Sequence, residues 1–140
     1  MRGENQVQII INYKDMIKEK KTVLIIEDEQ TLLKLLQKAF EKEDIKTLIA
    51  LDGEKGINLA RKEKPDLILL DIILPKKSGF DVLEELKADA ETKNIPVVVL
   101  TNLSEVVDVE KVLELGAVTY LVKSSYKLEE IVEKVKDMLK

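Results

Sequence analysis

Residues 67–70, Leu-Ile-Leu-Leu, form an unbroken apolar run between Pro65-Asp66 and a polar turn. A run this short with no polar position fits a strand buried on both faces, and such strands lie inside parallel sheets covered by helices on either side. The run ends on Asp71. In open α/β sheets ligands bind at the carboxyl ends of the strands. A carboxylate placed there is costly to bury unless a partner is matched to it. Pro75 stiffens the loop that follows and Gly79 turns it. The rest of the chain must supply the covering helices and the partner.

The helices are legible. Val23-Leu24-Ile25-Ile26 is another buried run, ending in Glu27, Asp28 and Glu29, and an amphipathic stretch with Leu32, Leu33, Leu35, Leu36, Ala39 and Phe40 on its apolar face follows it. Residues 46–51 read as a strand. Asp52-Gly53 then turns the chain into a helix carrying Ile57, Leu59 and Ala60, and Pro65 closes that region. Phe80, Val82, Leu83 and Leu86 mark the next helix. The β-branched run 97–100 ends at Thr101, and a helix over 106–115 stops at Gly116. Residues 118–122 form the last strand, ending at Lys123, and the final helix spans about 127–139 with Leu128, Ile131, Val132, Val135, Met138 and Leu139 toward the sheet. Five strands alternating with five helices predict an α/β, doubly wound parallel sheet with right-handed crossovers.

Residues 22–140 make one domain, and 140 residues with 45% hydrophobic content suffice to bury its core. Residues 1–21 read as an N-terminal extension, disordered or helical, with 7–11 suited to a strand and Met16 to an alternative start. With no cysteine and no histidine, disulfides, thiol catalysis, imidazole bases and the usual zinc sites are excluded. A metal would be a hard cation held by oxygen, Mg²⁺ or Mn²⁺. The net charge of -4, with both signs interspersed, speaks against direct nucleic-acid binding. No run approaches the ~20 apolar residues of a membrane span, and no signal peptide is visible, so the expected location is cytoplasmic.

On the shared edge of a parallel sheet, Glu27 and Asp28 close the first strand, Asp71 the third, Thr101 the fourth and Lys123 the fifth. Three converging carboxylates would resist ionising together; a divalent cation and Lys123 resolve the conflict. Mg²⁺ leaves coordination positions for phosphate oxygens, so Asp71 can act as a nucleophile toward a phosphoryl group, with Thr101 and Lys123 meeting its oxygens.

Over residues 22–140 the chain resembles a response-regulator receiver domain of two-component signalling. The resemblance rests on Glu27-Asp28 after an apolar strand, on Asp71 in Leu-Leu-Asp-Ile-Ile-Leu-Pro with Gly79 beyond, and on Asn94-Ile-Pro ahead of Leu100-Thr101. Gly116-Ala117 followed by Tyr120-Leu-Val-Lys123 completes it. It implies a flavodoxin-like strand order 2-1-3-4-5. It also implies that Asp71 accepts phosphate from a sensor histidine kinase or phosphotransfer protein. Asp28, Asp71 and the backbone carbonyl of Ile73 would bind Mg²⁺ or Mn²⁺ directly, and Glu27 through water. Thr101 and Tyr120 would be the switch residues. Output would pass through the fourth helix, fifth strand and fifth helix to a downstream protein, with a homodimer among the options. Such a chain is not an enzyme, beyond assisting its own phosphorylation and dephosphorylation.

Taken singly, each residue has a blander reading. Acids after the first strand favour a following helix N-terminus, Asp71 could be a turn residue, Lys123 a surface lysine, Thr101 a cap and Tyr120 core. Their coincidence at four strand ends outweighs these. Two departures stand out: the family's proline after the lysine is replaced by Ser124, followed by Ser125, and the small residue usual after Thr101 is Asn102. A cis Lys123-Ser124 bond would cost about 3 kcal/mol with nothing visible to hold it, so the bond is predicted trans, with Lys123 still reaching the acids. The competing class is a phosphorylation-independent receiver-like interaction module. A flavodoxin-like or nucleotide-binding enzyme lacks its glycine-rich phosphate loop here, and a phosphatase built on Asp-x-Asp lacks an acid at Ile73.

Overall fold

Strand and helix alternate along the chain as β1 (Thr22–Ile26), α1 (Gln30–Lys42), β2 (Lys46–Ala50), α2 (Gly53–Glu63) and β3 (Leu67–Asp71), then α3 (Gly79–Ala88), β4 (Val97–Thr101), α4 (Val109–Glu114), β5 (Thr119–Val122) and α5 (Leu128–Met138). The computed structural model describes residues 20–102 and 109–140. The readings made for residues 1–19 and for 106–108 lie outside them. All strand pairs are parallel, in the order β2-β1-β3-β4-β5.

Side chains alternate across each strand, so both sheet faces are apolar. Val23, Ile25, Leu67, Leu69, Val98 and Leu100 face α1 and α5, where Leu36, Phe40, Ile131 and Val135 cover them. Leu24, Ile26, Ile68, Leu70, Val97 and Val99 face the other way, against Ile57, Leu83, Leu86 and Val112. Every residue of β3 and β4 is buried. Fully burying one such leucine contributes roughly 1.5–3 kcal/mol, and the centre of the sheet is therefore its most rigid part.

Local chemistry sets the ends. The Asp52 side chain caps α2 by accepting from Lys55 N at 2.9 Å, and Ser78 Oγ caps α3 by accepting from Asp81 N at 3.2 Å. Lys64 stops α2 in the left-handed region, φ 46°, one residue ahead of Pro65. Two readings need correction. Leu35 is 49% exposed rather than part of the buried stripe, because helical pitch turns it away from Leu33 and Leu36. The strand through residue 51 ends at Ala50, with Leu51 in an exposed bend leading to the Asp52 cap.

Candidate functional site

The carboxyl ends of β1, β3, β4 and β5 meet at one edge of the sheet. β1 runs out at Ile26, and Glu27 stays pinned because its N–H donates to Ala50 O at 3.0 Å. That bond turns the Glu27 side chain into the fold, where the residue is 1% exposed, while Asp28 faces solvent. Neither Glu27 nor its acidic neighbours cap α1: the N-cap is Glu29, whose side chain makes no capping bond, and the first turn holds no acid. Side-chain capping therefore does not account for these acids, although Glu29 stands at the N-cap itself.

Asp71 ends β3 opposite Leu100 in the β3–β4 register and is 5% exposed. One of its oxygens, Oδ1, accepts from Ile73 N at 3.1 Å, which fixes the carboxylate at the mouth of the following loop. The loop returns so tightly that Gly79 N donates to Ile72 O at 2.7 Å. A Cβ at Gly79 would stand 2.5 Å from Asp71 O and fall onto Ile72 Cα, so only glycine fits. Within the loop, Lys76 adopts φ 68° and its Nζ lies 3.9 Å from Asp52 Oδ2 at the rim. That contact had no sequence signal beyond the capping motif.

From β5 comes Lys123, which opens a single 3₁₀ turn, Lys123–Ser125. All described peptide bonds are trans, Lys123-Ser124 included. Ser124 and Ser125 face outward, and the lysine reaches inward. Its Nζ donates to Glu27 Oε1 at 2.6 Å and to Asp71 Oδ2 at 3.3 Å. The expectation that Lys123 would still meet the acids without a following proline holds.

Oxygens of Glu27, Asp28 and Asp71 lie within 4.8 Å of one another. Three carboxylates face one ammonium, and Glu27 is the one most deeply buried. Burial, followed by the shared hydrogen bond with Asp71, pushes Glu27 up to about 8, against the opposing pull of Lys123. Burial by itself would pull the Lys123 ammonium down, yet its bond to Glu27 and the charge on Asp71 hold it above the ordinary range. A pocket this acidic suits a hard divalent cation bound by oxygens, with open positions left toward solvent on the Asp28 side.

Thr101 closes β4, pairs in register with Val122 and is 3% exposed. Its Oγ1 is buried with no hydrogen-bond partner among the described residues. An orphaned buried hydroxyl costs about 1–3 kcal/mol, so it marks a place where an acceptor is missing. Tyr120, on β5 opposite Val99, is half-buried and packs against the α2–α3 face of the core. The structure thus brings Glu27, Asp28, Asp71 and Lys123 into direct proximity, with Thr101 on the adjoining strand end. Tyr120 stands apart, one element further out.

This arrangement belongs to a known class. Residues 23–136 match the response regulator receiver domain, and the chain is a member of that family, whose domains are signalling modules of two-component systems. It is 37% identical over 107 residues to a probable transcriptional regulator, ycf27, of Guillardia theta, covering 76% of this chain and 41% of that one. The chain spans about half the length of the first curated relatives it matches. Among solved structures, the Mn²⁺-bound form of response regulator Rcp1 superposes with a TM-score of 0.73 at 34% identity, covering 84% of this chain and 92% of that one. The phosphorylated cyanobacterial phytochrome response regulator RcpA gives 0.74 at 31% identity, covering 86% and 94%.

Proposed function

We propose that this receiver domain is a phosphoacceptor switch and that Asp71 is its phosphorylation site. The observation that carries the reading is Thr101 Oγ1, buried with no hydrogen-bond partner among the described residues, on the strand end next to the one whose carboxylate Lys123 holds. A phosphoryl group on Asp71 would supply the acceptor that Thr101 lacks and new oxygens for Lys123. The Asp71 carboxylate attacks phosphorus, the bond from phosphorus to the donor breaks (P–N in a phosphohistidine, P–O in an acyl phosphate), and the donor leaves with that electron pair. Lys123 and the Thr101 hydroxyl stabilise the charge that collects on the transferred oxygens. The kind of donor the family implies is a histidine kinase or phosphotransfer protein, and such a partner would place the domain in the cytoplasm.

Asp28, Asp71 and the Ile73 carbonyl would hold Mg²⁺ or Mn²⁺, with Glu27 contributing through water; the carboxylate cluster fits that role. The cation, when bound, neutralises phosphoryl charge as transfer proceeds. Support also comes from the Mn²⁺-bound and phosphorylated neighbours among solved receiver structures. Output would run through α4, β5 and α5. Tyr120 lies on that face, and Leu113 and Val118 are 44% and 55% exposed there, apolar surface that a protein partner could cover.

The test is labelling with a small phosphodonor such as acetyl phosphate in the presence of Mg²⁺. Label should enter the wild-type protein and be absent from Asp71→Asn. Incorporation that survives the substitution undiminished would remove Asp71 from its role and favour a phosphorylation-independent module.

A further inference from the structure

On the outer flank of β1, β2 closes one side of the sheet, and among the described residues it pairs only with β1. Lys46 N donates to Lys21 O at 2.9 Å, and Ala50 O accepts from Glu27 N at 3.0 Å. Alternation along the strand then turns the backbone N–H and C=O of Thr47 and Ile49 away from β1, toward solvent. A cleft of about 690 Å³ lies along this edge between α1 and α2. Ile49, Leu51 and Leu59 line it with apolar surface, Lys34, Lys55 and Lys62 stand around it, and no acidic side chain contributes. Among the described residues none of these three lysines makes an ion pair, which leaves the charge beside the cleft without a carboxylate partner. A second hollow of about 510 Å³ shares Gln37 with the first and carries the groove down to Lys46 and Thr47 at the foot of the strand.

We propose that the outer edge of β2 is a docking site for an extended segment of a partner protein, apolar at its centre and acidic at its ends, which adds to the sheet as a further strand. The free backbone groups of Thr47 and Ile49 call for an extended main chain, the geometry in which a sheet edge is augmented. The apolar lining sits between the two helices, so the central side chains of the added strand would bury against Ile49 on one face and Leu59 on the other. The lysines come from both flanking helices, Lys34 from α1 and Lys55 and Lys62 from α2, and they select for carboxylates on either side. Lysines on edge strands also serve to repel unwanted pairing. Here that explanation covers only Lys46 at the foot of the strand, because residues 47–50, Thr-Leu-Ile-Ala, carry no charge. The charge is set back on the helices, where it attracts without blocking. The inference stands independently of the phosphoacceptor reading, since it uses the opposite flank of β1 and none of the pocket residues.

The probe is the octapeptide acetyl-Glu-Asp-Val-Thr-Val-Ile-Glu-Asp-amide titrated into the full chain and followed by NMR. At saturation the amides of Thr47 and Ile49 should shift and exchange with solvent at least about tenfold more slowly, as new backbone bonds form. The triple variant Lys34→Glu, Lys55→Glu, Lys62→Glu should bind about tenfold more weakly or worse. Should that variant fail to fold, the corresponding glutamine triple keeps the shape and removes only the charge. The same peptide N-methylated through its Val-Thr-Val-Ile centre should lose binding. The proposal is overturned if the peptide does not bind, or if the N-methylated version binds as tightly, which would make the groove a general site for apolar anions. It is likewise overturned if the lysine variants are indifferent, or if the Thr47 and Ile49 amides already exchange slowly in the free protein because the edge is occupied.

Discussion

Glu27 carries the largest electrostatic burden of any described residue. Its folded pKa, about 8, lies above the ordinary value of 4.5. Between those limits the folded state holds a proton that the unfolded state has released, so stability falls as pH rises from about 4.5 to about 8 in the absence of divalent cation. Glu27→Gln should flatten that slope and raise stability near neutral pH by roughly 2 kcal/mol, the Lys123 bond repaying part of the full shift. Thermal unfolding followed across pH, with a chelator present, reads the effect; a slope unchanged in the variant would assign it elsewhere. Thr101 invites a parallel experiment. Thr101→Val keeps the shape and removes the orphaned hydroxyl, so the unphosphorylated protein should gain about 1 kcal/mol. The same variant should accept phosphate yet lose the response at Tyr120, as comparison of its NMR spectra with and without acetyl phosphate would show. Asp28→Ala should weaken Mg²⁺ binding at least about tenfold and slow labelling; unchanged affinity, measured by fluorescence or calorimetry, would displace the cation site.

At the scale of elements, the loop between β3 and α3 holds the least slack. Gly79→Ala should cost about 2–4 kcal/mol or force the loop outward, because the added carbon has only backbone to push against. Denaturant unfolding measures the cost, and a wild-type midpoint would show that the loop yields freely. The elements also show what a sequence can and cannot disclose. Strand runs 67–70 and 97–100 were readable because both faces are buried and no polar residue interrupts them. The convergence of Glu27, Asp71 and Lys123 was readable because parallel strands necessarily end on one side. Burial depth was not: nothing in Glu27-Asp28-Glu29 says which acid turns inward, a choice made by the Glu27–Ala50 backbone bond. Leu35 was misplaced because leucine at a helix position reads as core whichever way the pitch carries it. The groove beside β2 left no motif, since its parts lie on three separate elements.

For the whole molecule, the proposed phosphorylation at one sheet edge and output at another face would require a transmitting element. Thr101 and Tyr120 sit on neighbouring strands with α4 between them in sequence, so chemical-shift changes on phosphorylation should gather on α4, β5 and α5. Changes centred on residues 30–60 would contradict that route. The interior should respond differently: Leu70→Ala, at the centre of the sheet, should lower stability by about 2–5 kcal/mol. Its folded fraction should still accept label at Asp71, because the hydrophobic layers and the polar edge are built from different residues.

The bond from Lys123 to Glu27 joins positions 96 residues apart. Few contacts in a chain of this size close so long a loop, and long loops are the last to form. During synthesis β1, Asp71 and α1 to α4 leave the ribosome before the lysine that joins Glu27 to Asp71. A nascent chain therefore carries the acids without their counter-charge, and the proposed phosphoacceptor chemistry would wait on β5. The counter-charge of the proposed switch thus arrives with β5, after every acid it balances is already in the chain.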